Sequence, residues 1–286
     1  MHKGSPKQQI NEPPSTSQGQ FVYQLQLIHA HPWEPEERSF GIAVYIGKGL
    51  FLTASHNLHR VPGREPKQGG LYVIPGEGKD EQQVEAVGFM DPEITPLNGF
   101  IRRGDKPQVK MDIALLKIRE GDPPDSSRAA NPYIIADDDS AWIGAPKLRF
   151  WGINPSASIE DQGYSYPDID RDKLQKALNE LQVGAVSTSG GNGSFGPDSS
   201  DSKADFITYD ISTSAGASGS AITTDSLDQP KLLGIHRGFR PGPNVNCAVN
   251  LNTPRFREFF TRCTAEMVEK DPEEFSDWEW MKMRAE

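Results

Sequence analysis

From residue 21 to residue 252 the chain is a succession of short apolar or alternating runs, each bounded by Gly, Pro, Asn or Asp, and that punctuation leaves little room for long helices. The first group is FVYQLQLI, FGIAVYIG, GLFLTAS, LYVIPG, QVEAVGFM and DIALLKI. The second is YIIA, KLRFWGI, QVGAVST, DFITYDI, GSAITT, KLLGIHRG and NCAVNLN. Such runs, rich in β-branched and aromatic residues, fit a pleated, half-buried surface. Two groups of similar strand count predict an all-β chain of two packed antiparallel β-barrels. The Pro- and Asp-rich segment 119–132 (REGDPPDSSRAANP) reads as the linker, giving a first barrel over 21–120 and a second over 133–253.

The remaining segments are secondary to this plan. Residues 1–20 are rich in Pro, Gln, Ser and Gly and are read as a flexible arm. Segment 171–182 places Leu174, Leu178 and Leu181 at helical spacing, and the Gly/Ser-rich segment 187–204 is read as a mobile loop. Thr253 followed by Pro254 marks a helix start, so 254–286 is predicted to be a C-terminal helix, with Phe256, Phe259 and Phe260 inward, and an acidic tail. Trp278 and Trp280 look exposed in that tail. It is read as packing on the body, with binding of a protein partner as the secondary reading.

Composition removes several function classes. At 286 residues the chain can bury a sizeable core and build a cleft. Its 30 basic and 40 acidic residues give a net charge of −10, which repels a phosphate backbone, so nucleic acid is not an expected partner. No stretch reaches membrane-spanning length and no secretory signal opens the sequence, so a cytoplasmic protein without a membrane partner is expected. Only Cys247 and Cys263 are present, enough for one bridge at most. The histidine pairs HAH (29–31) and HNLH (56–59) lack a cysteine or carboxylate set at metal-site spacing, and GKGLF and GGNG lack the residues of a phosphate loop. Neither a metal nor another cofactor is expected.

Three local signatures carry chemistry, in the order His, Asp, Ser, each where a strand meets a loop. In LTASH the small residues Thr53, Ala54 and Ser55 allow a tight turn that holds the His56 imidazole over a cleft. In DIALLKI, Asp112 opens an apolar strand, where a buried carboxylate can fix an imidazole tautomer and stabilise the imidazolium. In TSAGASGSAI the turn around Gly216, Ala217 and Ser218 has little side-chain bulk, so the backbone N–H groups of Gly216 and Ser218 can face a developing oxyanion. Ser220, past Gly219, is expected to point away. Each motif alone has an ordinary explanation, but the order, the strand-end placement and the two-barrel count agree independently.

Together LTASH, DIALLKI and GASGS resemble the signatures of trypsin- and chymotrypsin-like serine peptidases over residues 40–260, and His, Asp, Ser is that family's chain order. YDISTSAGASGSAI followed by LLGIHRGFRPGPNVNCAVNLN is most similar to the glutamyl endopeptidase branch. The resemblance implies a serine endopeptidase with a His56–Asp112–Ser218 triad, an oxyanion hole at Gly216 and Ser218, and a polypeptide substrate. It also implies a primary pocket lined by Thr213 and His236 that takes Glu or Asp, with Arg237 adding positive potential if it turns inward. A catalytically silent binding module on the same fold is the alternative. The chain departs from the family in two places. Ala217 removes the carboxylate that a freshly cut N-terminus would pair with, which excludes that activation switch, and Arg237 replaces an expected aromatic residue.

Overall fold

A computed structural model describes residues 19–30, 37–60, 65–75, 81–91, 101–102, 111–134, 146–153, 186–195, 205–211, 213, 216–240 and 245–284. The first barrel is built from β1 (Val22–Ala30), β2 (Glu37–Gly47) and β3 (Leu50–Thr53), followed after a short pair partner β4 (His59–Arg60) by β5 (Glu65–Pro75) and β6 (Gln82–Phe89). β7 (Ile101–Arg102) pairs in parallel with β4, and β8 (Ala114–Ile118) completes the barrel. It closes in the order β1-β2-β3-β8-β6-β5.

The second barrel uses β10 (Lys147–Ile153), β11 (Val186–Phe195), β12 (Phe206–Tyr209), β13 (Ala221–Thr224), β14 (Lys231–Arg240) and β15 (Val245–Asn250). These run β13-β10-β11-β12-β15-β14, and pairing of β13 with β14 closes the ring. A two-residue strand, β9 (Asn131–Pro132), adds to β14 in parallel. The expected two antiparallel barrels are therefore present.

Alternation along the strands explains the architecture. In β2, Ala43 and Tyr45 point into the first barrel with Tyr23, Phe51 and Leu116, whereas Ile42, Val44 and Ile46 point outward. The outward set joins Trp151, Ile153, Ile235 and Val249 in a second cluster at the seam between barrels. With both faces buried, the sequence GIAVYI is continuously apolar. A third cluster, including Leu148, Phe150, Ile207 and Leu233, fills the second barrel.

Helix α1 (Pro254–Lys270) begins as the cap signal predicts: Thr253 Oγ1 accepts from Phe256 N at 3.1 Å, and Phe256, Phe259 and Phe260 are buried. It is followed by the short helix α2 (Pro272–Phe275) and a 3₁₀ turn over Glu279–Arg284.

Four expectations need correction. Of YIIA, Tyr133 and Ile134 lie outside any strand and Ile135 and Ala136 lie outside the described residues; the preceding Asn131–Pro132 pairs instead, at an edge position where proline's missing donor is tolerated. The segment read as a mobile loop is, over Ser187–Phe195, most of β11, paired with β10 from Val186 to Asn192. Two of its glycines meet a close-packing demand, since a Cβ would lie 2.5 Å from Ile211 Cγ1 at Gly191 and 2.0 Å from Leu148 Cδ1 at Gly193. Trp278 and Trp280 are buried rather than exposed, and their indole N–H groups donate to Ile46 O and Ala130 O, each at 2.9 Å. The C-terminal segment thus straps the first barrel to the inter-barrel connection. Finally, Gly19 and Gln20, read as part of the arm, form the turn into β1. Residues 1–18 and the predicted helix at 171–182 lie outside the described residues. Cys247 and Cys263 are free thiols.

Candidate active site

The expected acid and base meet at the end of the first barrel. β3 ends at Thr53, and the chain enters a 3₁₀ turn, Ser55–Leu58, that carries His56. Asp112 precedes β8, where Ile113 N donates back to Met111 O at 2.9 Å in a tight turn. Its carboxylate is 3% exposed, yet fully engaged: Oδ1 accepts from Ser55 Oγ at 2.7 Å and from the backbone N–H of His56 at 2.9 Å, and Oδ2 lies 2.6 Å from His56 Nδ1.

Burial alone would push the Asp112 carboxyl up. The neighbouring His56 and the hydrogen bonds from His56 and Ser55 outweigh it and hold Asp112 below its ordinary value. An ionised Asp112 accepting at Nδ1 requires the proton on that nitrogen, which leaves Nε2 of a neutral His56 as a lone-pair acceptor.

Ser218 is delivered from the second barrel by the turn between residue 216 and β13. Two residues there have left-handed backbone, Gly216 (φ 81°) and Gly219 (φ 93°), and only glycine adopts this without cost. Gly219 N donates to His236 O at 2.9 Å, and His236 N donates to Ser220 O at 2.8 Å, fastening the turn to β14. Ser218 O accepts from Ile42 N and from Asn57 Nδ2, both at 2.9 Å. The serine turn is therefore tied to the residue that follows His56, so the two groups share one end of the seam. Among the described residues, the backbone N–H groups of Gly216 and Ser218 have no hydrogen-bond partner. Ser220 is fully buried, and its hydroxyl oxygen lies 3.1 Å from the place a Cβ on Gly152 would take.

The expected pocket residues Thr213 and His236 lie after β12 and on β14. Thr213 is half-buried and donates to Asn246 Oδ1 at 3.1 Å, while Asn246 Nδ2 donates to Ile211 O at 2.7 Å. His236 is buried inside the second barrel, its Nδ1 hydrogen-bonded to Tyr209 OH and its ring edge-on to Phe150 at 5.7 Å. Burial, helped by the nearby His56, lowers the His236 pKa to about 3 against smaller opposing effects of the Cys247 backbone and Asp112. The ring is neutral at pH 7. Burial likewise raises the Tyr209 hydroxyl well above its ordinary value, so it stays protonated.

Arg237 turns toward Asp112, with Nε 3.8 Å from Oδ2, and its guanidinium lies 5.5 Å from the centre of the Phe206 ring. The positive charge of Arg237 thus lies beside the buried acid. Three residues that the motifs did not single out complete the site. Ser55 and Tyr209 sit inside quoted motifs, LTASH and YDIST, and were legible as candidates, whereas Asn57 falls inside HNLH, a stretch weighed only for its two histidines. Outside the site, His29 of the HAH pair is buried and shares a 2.5 Å hydrogen bond with Ser39.

No family model and no curated protein matches the chain. Among solved structures it is similar to a Glu endopeptidase, at 16% identity and a TM-score of 0.50, over 89% of this chain and 96% of that one. A tobacco vein mottling virus protease is aligned at 15% identity and a TM-score of 0.43, over 86% and 82%. Two closed six-stranded barrels with a helix after the last strand, and near-complete coverage of the first of these structures, establish that the chain has the double-barrel fold of the chymotrypsin-like serine peptidases.

Proposed function

We propose that the chain is a serine endopeptidase with Ser218 as nucleophile, His56 as general base and Asp112 as its orienting partner. The supporting observation is the pairing of His56 Nδ1 with Asp112 Oδ2 at 2.6 Å, on a turn whose next residue grips the carbonyl of Ser218. In this reading Ser218 Oγ attacks the scissile carbonyl as His56 Nε2 takes its proton. The imidazolium is stabilised by Asp112 and returns the proton to the leaving amine, and water then repeats the sequence to release the acyl group. The N–H groups of Gly216 and Ser218 receive the oxyanion. The reaction uses only side chains and backbone, with no cofactor. The polypeptide substrate lies as an extended strand along the second barrel.

Cleavage after Glu or Asp is the proposed preference. It is supported by the resemblance to glutamyl endopeptidases and by the polar Thr213 and Asn246 pair. Because His236 is neutral, recognition of the carboxylate would rest on hydrogen bonds without a resident positive charge.

Labelling with a fluorophosphonate tests the nucleophile: modification at Ser218, lost in Ser218→Ala, is expected. A folded protein that resists the probe would instead be a binding module. Cleavage of a peptide library tests the pocket, and a preference for Arg, Lys or large aromatic residues before the cut would overturn the acidic preference.

A further inference from the structure

His56 and Ser218 belong to different barrels, so their relative placement depends on what crosses the seam. Ser218 O has two acceptor positions and both are used from the first barrel: one by the backbone of Ile42, the other by the side chain of Asn57. The same Asn57 amide nitrogen donates to Thr53 Oγ1 at 3.0 Å, and that hydroxyl donates in turn to Ile42 O at 2.6 Å. Asn57 therefore uses both amide hydrogens, one on its own barrel and one on the other.

The chain leaves room for this arrangement. A Cβ at Gly41 would lie 2.5 Å from both Cγ and Nδ2 of Asn57, so the amide occupies space that any other residue at 41 would take. Asn57 is also one residue from His56 within the same turn, and its own N–H closes that turn onto Ala54 O at 3.0 Å.

We infer that Asn57 is a positioning residue, clamping the nucleophile turn to the histidine turn so that Ser218 and His56 keep a reactive register. This rests on the peptidase reading above. The clamp acts before any substrate binds, through hydrogen bonds to a backbone carbonyl, so it works on the rate of serine attack rather than on substrate affinity.

The first variant is Asn57→Asp, which keeps the shape that fills the space beside Gly41 but has no amide hydrogens to donate. The fluorophosphonate labelling rate at Ser218 is expected to fall about tenfold to a hundredfold, the scale of a misplacement of up to 1 Å. Peptide cleavage should lose kcat with KM nearly unchanged. A fall in Asn57→Asp counts for the clamp only together with the uncharged Gly41→Ala and Asn57→Ala variants, because a new carboxylate one residue from His56 slows labelling by its charge alone.

Gly41→Ala approaches the same clamp from the other side, by displacing the amide. It is expected to slow labelling in the wild-type background and to add little once Asn57→Ala has removed the amide, so the two changes are non-additive. Asn57→Asp labelling within twofold of wild type, or additive effects of Gly41→Ala and Asn57→Ala, overturns the inference while leaving the peptidase reading standing. Failure of the wild-type protein to label overturns the reading itself. Thermal unfolding measured in parallel keeps the outcome decisive: a variant folded at the assay temperature reports on the clamp, and if Asn57→Asp does not fold, the Gly41→Ala comparison does.

Discussion

Gly219→Ala tests the seam geometry at its tightest point. The added Cβ would fall 1.8 Å from Ile42 O and 2.8 Å from both Ile42 C and Thr53 Oγ1, so the turn must retreat by about 1.5 Å to reach ordinary contact. Retreat pulls Ser218 O from Ile42 N and Asn57 Nδ2 and carries Ser218 away from His56. A displacement of that size costs about a hundredfold or more in rate. The backbone adds its own strain, since a left-handed φ of 93° at a non-glycine residue costs about 1–3 kcal/mol. A loss of that order lowers Tm by roughly 2–12 °C. Gly121→Ala is the control: it has a similar φ of 100°, but nothing lies within 4 Å of the added Cβ, so it carries the strain without the collision. The assay compares fluorophosphonate labelling and kcat for the two variants below their melting temperatures. Labelling of Gly219→Ala within threefold of Gly121→Ala would refute the argument that contact with Ile42 fixes the nucleophile.

Asp112→Asn should reduce kcat by about 10³–10⁴ by favouring the wrong His56 tautomer, with folding retained; activity within tenfold of wild type would show that the acid does not orient the base. His236 stays neutral down to about pH 3 in the native state, whereas its ordinary value is 6.5, so only the unfolded chain gains a proton as pH falls between them. Stability is unaffected above that window, declines as pH falls through it by up to about 1.4 kcal/mol per pH unit, and levels off below it. The lowered Asp112 pKa adds a loss at more acid pH, as its carboxylate protonates. Urea unfolding at pH 7 and 5 should show the decline, and His236→Gln should shrink the difference; an unchanged difference contradicts the buried neutral ring. Trp280→Ala removes a fully buried indole and its bond to Ala130 O, and should cost about 3–5 kcal/mol in chemical denaturation while leaving the labelling rate of folded protein intact. A loss below 1 kcal/mol would show that the C-terminal strap does not hold the barrels.

Much of the fold is local in origin, which is why it can be read along the chain. Strand identity follows from alternation and from the turn residues around each run, and the helix start at Thr253 follows from a side-chain oxygen next to a proline. The misreadings arise where packing overrides composition. Gly191 and Gly193 look like loop, but β11 needs their missing Cβ atoms where it packs against Ile211 and Leu148. Trp278 and Trp280 sit among acidic residues on short turns too brief to display a period, so their burial had no pattern to announce it.

The direction of Arg237 was equally hidden. Strict alternation from His236 would set its side chain by parity alone, but the register of β14 against β15 shifts between His236 and Gly238, and the guanidinium comes to lie beside Asp112.

The amino-acid sequence determined the strand-rich plan, the C-terminal helix and the placement of His56, Asp112 and Ser218 at strand ends, because periodicity, caps and turn chemistry act over a few residues. Only the tertiary structure decided that a side-chain amide beside the histidine would reach the carbonyl of a serine 161 positions later. It also decided that His236 would lose its charge inside a barrel and that Arg237 would face the acid. Those outcomes depend on which surfaces meet across the seam and on how deeply each group is buried, and no local pattern encodes either.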